Sequence, residues 1–267
     1  MKKQQTKEYR KFLNRQKAVT VGITAIQAGI LALFIILWQV LTDAGLLDSF
    51  ITSSPSKMYE VYVSLVRDGE LWHHIWTTLY ETLLSFALST IIGTLLAVVL
   101  WFSQTLRRII EPYLVVLNAL PKIALGPIII IWVGAGTKAI VVMGILISVI
   151  ITIINTLTGF INVDKEKMLL MRTLNANKVQ TLFKLVLPAN ISTIMACLKI
   201  NVGLSWVGTI MGEYISSKAG LGYLIIYGGQ VFNLSLVMCS TVILCFMAAV
   251  MYAIVAALEY LVRRKTG

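Results

Sequence analysis

Long apolar runs broken by short polar stretches organise this chain, and the runs are far too long to be strands. Six segments carry the pattern: 19–41, about 74–102, about 113–133, about 138–161, about 185–212 and about 234–261. As a helix rising ~1.5 Å per residue, each is long enough to cross or nearly cross a hydrocarbon core of ~30 Å. The pattern predicts an all-α membrane protein with about six transmembrane helices. The first run exceeds the length of a signal-peptide core and no A-x-A site follows it, so it reads as an uncleaved span. The third run is interrupted. Its sequence "LNALPKIALGPIIIIWVGAG" holds Pro121, Gly126 and Pro127, and backbone carbonyls freed by a break need protein or water as partners.

Between the first two runs, residues 42–73 are mixed in character. "SSPSKMYEVYVSLV" opens with Ser-Pro, a helix start, and its apolar residues recur at helical spacing. Trp72, Trp76 and Tyr80 read as an interfacial belt. The longest polar stretch lies between the fourth and fifth runs: "NVDKEKMLLMRTLNANKVQTLFKLVLP", residues 162–188. Asp164 suits an N-cap, and Met168, Met171 and Leu174 fall on one stripe, with Leu182 and Leu185 further on. These features predict two short helices lying across a membrane-facing surface, with Pro188 opening the next span. The chain thus divides into a basic arm at 1–18, a first span with an amphipathic segment at 19–73, the remaining spans at 74–261 with a polar loop at 162–184, and a tail at 262–267.

Charge fixes the orientation. Of 23 Lys and Arg, 18 fall in the N-terminal arm, the loops around 107–122 and 162–184, and the tail; four fall in the opposite loops and one, Lys199, within a span. Basic residues gather on the cytoplasmic side, so both termini are expected there. The same distribution accounts for the net charge of +11 without a nucleic-acid partner. Hydrophobic residues make up 58% of the chain and charged ones 13%, against ~45–50% and ~25% in soluble domains. Cys197, Cys239 and Cys245 lie in apolar runs without disulfide or zinc spacing, and His73 and His74 stand alone as neighbours, so no metal site is expected. "GAGTK", residues 134–138, lacks the first glycine of a phosphate-binding loop. No span interior carries Asp, and both His lie at a boundary. Neither an aspartyl nor a Ser–His membrane protease is indicated, and no catalytic residue is assigned.

"LLMRTLNANKVQTLFKLVLP" resembles the cytoplasmic loop E-A-A-x3-G-x9-I-x-L-P of permeases in ATP-driven importers. "SSPSK", "ALPKIALGPIIIIWVGAG" and "LKINVGLSWVGTIMGEYISSKAGLGYLI" match, in order, the binding-protein-dependent permeases of the nitrate, sulfonate, taurine and bicarbonate branch. The resemblance covers about 54–260. It implies the type I ABC importer permease fold in a bacterial cytoplasmic membrane. It also implies two ATPase subunits that carry the ATP and Mg, a second permease copy or paralogue, and an extracytoplasmic substrate-binding protein. The family's loop is a coupling helix seated in the ATPase, which by position falls on Met171, Arg172, Thr173, Leu174, Asn175 and Ala176. Two positions depart from the motif. Leu169 stands where the family has an acid, and Asn175 where it has Gly; Asn is the next-best residue for a left-handed turn. The implied cargo is a small anion such as a sulfonate, taurine or nitrate, with a vitamin precursor such as a thiamine pyrimidine, or a channel function, as alternatives.

Candidates for the translocation path are Glu81, Lys199, Asn201, Ser205 and Glu213. Lys199 lies ~21 Å into a fifth span that begins at Leu185, and Glu81 ~10 Å from the opposite edge. They are expected to pair or share a polar cavity near the route, unless Lys199 serves a structural ion pair or snorkels. Asn155, Thr156, Thr158, Asn201 and Ser205 suit interhelical hydrogen bonds. Gly208 and Gly212 form a G-x-x-x-G pair, for close helix packing or a subunit contact. Glu213 and "KAGLGYL", residues 218–224, are expected at the outer mouth, either facing a binding protein or forming an ordinary turn.

Overall fold

The computed structural model describes residues 7–266, all of whose regular elements are helical. Residues 1–6 of the predicted arm lie outside the described residues. In order the elements are α1 (Lys7–Asp43), α2 (Ser49–Thr52), α3 (Pro55–Arg67), α4 (Glu70–Phe102), α5 (Gln104–Ala119), a 3-10 turn (Lys122–Leu125), α6 (Gly126–Val133), α7 (Thr137–Ile161), α8 (Lys165–Thr173), α9 (Lys178–Thr181), a π turn (Leu182–Val186), α10 (Leu187–Ala189), α11 (Ile191–Ser216), α12 (Leu221–Gln230) and α13 (Leu234–Thr266). Among the described residues, five helices are long and apolar enough to span a membrane. A sixth span arises if α5 and the Lys122–Val133 segment count together, bent by 88° at the break.

Three helices, α4, α7 and α11, form the centre, and small residues let them touch. A Cβ on Gly208 would stand 2.5 Å from the Gly144 Cα, and one on Gly212 2.8 Å from the Ile140 Cα. Gly93 meets Thr152 and Gly144 meets Ser85 in the same way. The G-x-x-x-G pair is therefore spent inside the chain, packing α11 on α7. At one pole the start of α7 is tied to the end of α11, where the Gly136 N–H donates to Ser216 Oγ at 2.8 Å. At the other pole an apolar cluster of Ala97, Leu100, Leu114, Ile150, Phe160, Leu182 and Val186 joins the helix ends to the polar loop.

Helix α1 stands apart. Its apolar residues from Val21 to Val40 are mostly exposed, as lipid-facing side chains are. Gln39 links it to α3, accepting from the Ser56 N–H at 3.1 Å and donating to Ser56 Oγ at 3.2 Å. The Ser-Pro start of α3 forms as the sequence indicates: Pro55 occupies the first helical turn and Ser54 Oγ accepts from the Lys57 N–H.

Two boundaries differ from the sequence pattern. The third span opens earlier, since α5 begins at Gln104 and includes Arg107 and Arg108, which the pattern assigns to a loop. Ser103 Oγ caps it by accepting from the Leu106 N–H. The fifth span opens later, at Ile191, because the π turn and α10 absorb residues 182–189.

Candidate functional site

The polar loop folds into two short helices held by local caps. Asp164 accepts the Glu166 N–H at 2.8 Å and starts α8. Asn175, at φ 53°, reverses the chain in the left-handed conformation, while its N–H donates to the Arg172 carbonyl and that of Ala176 to Met171. Asn177 and Gln180 then exchange hydrogen bonds as a capping box at the start of α9.

Tertiary contacts seat this unit firmly. Leu182, Val186 and Met168 pack on the apolar cluster beneath. Lys178 Nζ donates to the Phe102 carbonyl at 3.0 Å, at the C-terminal end of α4, where a cation also suits the helix dipole. Three leucines stay outward among exposed polar residues: Leu169, Leu170 and Leu174 are 61%, 58% and 68% exposed. Leu174 therefore departs from the predicted stripe, since α8 ends at Thr173 and the reversal turns Leu174 away from Met168 and Met171. Of the six proposed docking residues, Arg172, Thr173, Leu174 and Asn175 are exposed, and Met171 and Ala176 lie half-buried beneath them.

A second feature is a buried polar seam. Asn201, Ser205, Thr209 and Glu213 recur every four residues along α11, all buried. Asn201 Nδ2 donates to Thr152 Oγ1 at 2.6 Å on α7 and to Thr90 Oγ1 at 3.2 Å on α4. Thr78, Thr82, Ser85 and Ser89 of α4 and Ser148, Thr152 and Thr156 of α7 are buried too. Asn201 thus bridges helices of one chain, and Ser205 is buried one turn further along α11.

At its far end the seam holds the start of α12. The Gly220 N–H donates to His74 Nδ1 at 2.9 Å, and the Leu221 N–H to Thr78 Oγ1 at 2.7 Å. Glu213 Oε2 accepts from Gly222 N–H at 2.6 Å and Tyr223 N–H at 3.3 Å. Side chains of α4 and α11 thereby satisfy donors that a helix start leaves unpaired. Glycines are required here: Gly220 has φ 115°, and a Cβ on Gly222 would stand 2.7 Å from Glu213 Oε2. Glu213, expected at the outer mouth, is 1% exposed here, while Lys218 of the same stretch is exposed. His74 and Thr78, one helical turn apart, are partners that the sequence reading did not find; with Glu81 they follow an i, i+4, i+7 face of α4.

Glu81 and Lys199 do not pair. Lys199 Nζ lies 2.6 Å from Glu259 Oε2 on α13, whereas Glu81 faces Thr137 and Glu213 beside a cavity of about 380 Å³. With α11 starting at Ile191, Lys199 is only eight residues in, or ~12 Å from that end. The Lys199→Met variant is expected to lower the thermal midpoint by breaking this ion pair, and Lys199→Met with Glu259→Leu, which removes both of its charges, to lower it less. Melting curves of the two variants and the wild type check this.

The structure is a multi-pass helical bundle with a two-helix loop at one pole, and comparison with known proteins shows that it is a membrane permease subunit. Residues 89–267 match the binding-protein-dependent transport system inner membrane component family, and the chain belongs to that family. It is 28% identical to a probable ABC transporter permease protein of Haemophilus influenzae, over 84% of this chain and 90% of the relative. It is 30% identical to a putative aliphatic sulfonates transport permease protein of Escherichia coli, over 70% and 71%. It is 27% identical to the riboflavin transport system permease protein of Chloroflexus aurantiacus, over 88% and 87%. The crystal structure of a bacterial alginate ABC transporter, in complex with a pentasaccharide-bound periplasmic protein, superposes with a TM-score of 0.64. The match has 14% identity and covers 96% of this chain and 97% of that one. The fold is that of a type I ABC importer permease, and the chain is a multi-pass membrane protein whose role is transport.

Proposed function

We propose that this permease moves a small organic or inorganic anion of the sulfonate and taurine kind, driven by two ATPase subunits that engage residues 171–176. The observation that carries the coupling role is the exposed Leu169, Leu170 and Leu174 face on a loop clamped to the ends of the spans. Closure of ATPases against so rigid a unit shifts α4 and α7 rather than flexing the loop. Both termini and this loop are cytoplasmic on this reading, as the basic residues require.

The break between α5 and α6 supports a route at a face shared with a second permease copy. Leu120 and Ile123 flank Pro121 and are 43% and 46% exposed, while Ile131 and Trp132 beyond it are 81% and 79% exposed. Non-helical backbone at membrane depth needs protein or water against it. A second copy across this face supplies the first and encloses the second. The anion preference rests on the sulfonate relative, because Lys199 is already paired with Glu259. The riboflavin relative favours a second reading, import of a vitamin or its precursor.

Uptake into vesicles holding the permease, its ATPase and its binding protein separates these readings. Labelled taurine or an alkylsulfonate is expected to accumulate only with ATP and binding protein. Accumulation of riboflavin or a thiamine pyrimidine instead would assign the second reading. Flux without ATP would indicate a channel.

A further inference from the structure

We propose that Glu81 and Glu213 share a single proton, as a carboxylic acid hydrogen-bonded to a carboxylate, and that this bond latches α12 to the bundle. Both side chains are 1% exposed and they face each other between α4 and α11. The two oxygens of Glu213 have different surroundings. Oε2 takes two N–H groups from the first turn of a ten-residue helix, a setting made for an anion. Glu213 Oε1 is buried with no hydrogen-bond partner, and so is Glu81 Oε2.

One proton gives both oxygens a partner. Placed on Glu81, it makes that carboxyl the donor and Glu213 Oε1 the acceptor, so that neither buried oxygen is left unmatched. Without it, two carboxylates in contact repel each other in a poorly solvated place. Neither carboxyl belongs to the described ion pair, Lys199–Glu259, which lies in the opposite half of α11, although Lys218 lines the cavity beside Glu81. The other titratable groups around this pole are Glu70, His73 and His74 on α4, Lys138 on α7, Tyr214 on α11, Lys218 in the following loop and Tyr223 on α12. Lys138 and Lys218 are exposed, and His74 Nδ1 is occupied by the Gly220 N–H. Any movement that draws α11 away from α4 at this pole splits the pair.

Infrared spectroscopy of the full chain in lipid nanodiscs tests the assignment. Wild type at neutral pH is expected to show the carbonyl stretch of a buried carboxylic acid, absent in Glu81→Gln and unchanged in Glu70→Gln, whose carboxyl is exposed. The Glu81→Gln amide still donates to Glu213, so its melting temperature is expected within a few degrees of wild type, while Glu81→Ala melts clearly lower. A wild-type spectrum without the acid band, or a band that survives Glu81→Gln, overturns the proposal. So does a band that appears only after sodium and calcium are removed, because a metal cation then occupies the proton's place.

Discussion

Asn175→Pro is expected to abolish ATP-driven uptake while the spans remain folded. Asn175 reverses the loop at φ 53° and donates its N–H to the Arg172 carbonyl. Proline holds φ near about −65° and has no N–H, so it denies the reversal twice. Without the turn, α8 and α9 lose their mutual geometry, and Leu170 and Leu174 no longer present one face. Asn175→Gly, which enters the left-handed region freely, is expected to transport at the wild-type rate. Uptake assays, with size-exclusion profiles to confirm folding, check both variants. Wild-type uptake by the proline variant would remove the loop from the mechanism.

Gly208→Ala is expected to cost more stability than any other single methyl addition along α11. The new Cβ would meet backbone, the Gly144 Cα at 2.5 Å, rather than the tip of a side chain. Relief requires α7 and α11 to separate, and overpacking of this kind costs ~1–3 kcal/mol. Gly203, on the same helix, has open space where its Cβ would be. Gly203→Ala is therefore expected to be neutral or slightly stabilising, since alanine suits a helix better. Thermal melts of the two variants in one detergent provide the comparison. Equal midpoints would contradict the packing described for the seam.

Local signals made much of this architecture legible in the sequence. Apolar runs placed the long helices, because lipid allows no other single-chain solution than a helix or a closed barrel. Ser54, Asp164 and Asn175 act through bonds to residues within a few positions, and each adopts the conformation that its neighbourhood dictates. Partners far along the chain were not legible. Lys199 finds Glu259 across 60 residues, and no periodicity connects them. Glu213 carries one motif-like environment, "GEYISSKAGLGYL", that reads equally as an exposed turn until α12 is seen folded back onto its carboxylate. Around residues 182–190 a π turn shifts the register by part of a helical turn. Counting from Leu185 put Lys199 14 residues into the fifth span, whereas α11 itself begins at Ile191.

On the proposed function, the exposed leucine face of the loop carries the ATPase contact. Purification of the tagged chain in mild detergent, beside a Leu170→Asp, Leu174→Asp variant, tests it most directly, with bound ATPase activity as the readout. Both substitutions lie on exposed positions and should leave the fold intact. We expect wild type to retain an ATP-hydrolysing partner and the variant to lose it with an unchanged elution profile. A variant that retains the ATPase at wild-type levels, or a wild-type chain that brings none, would contradict the account.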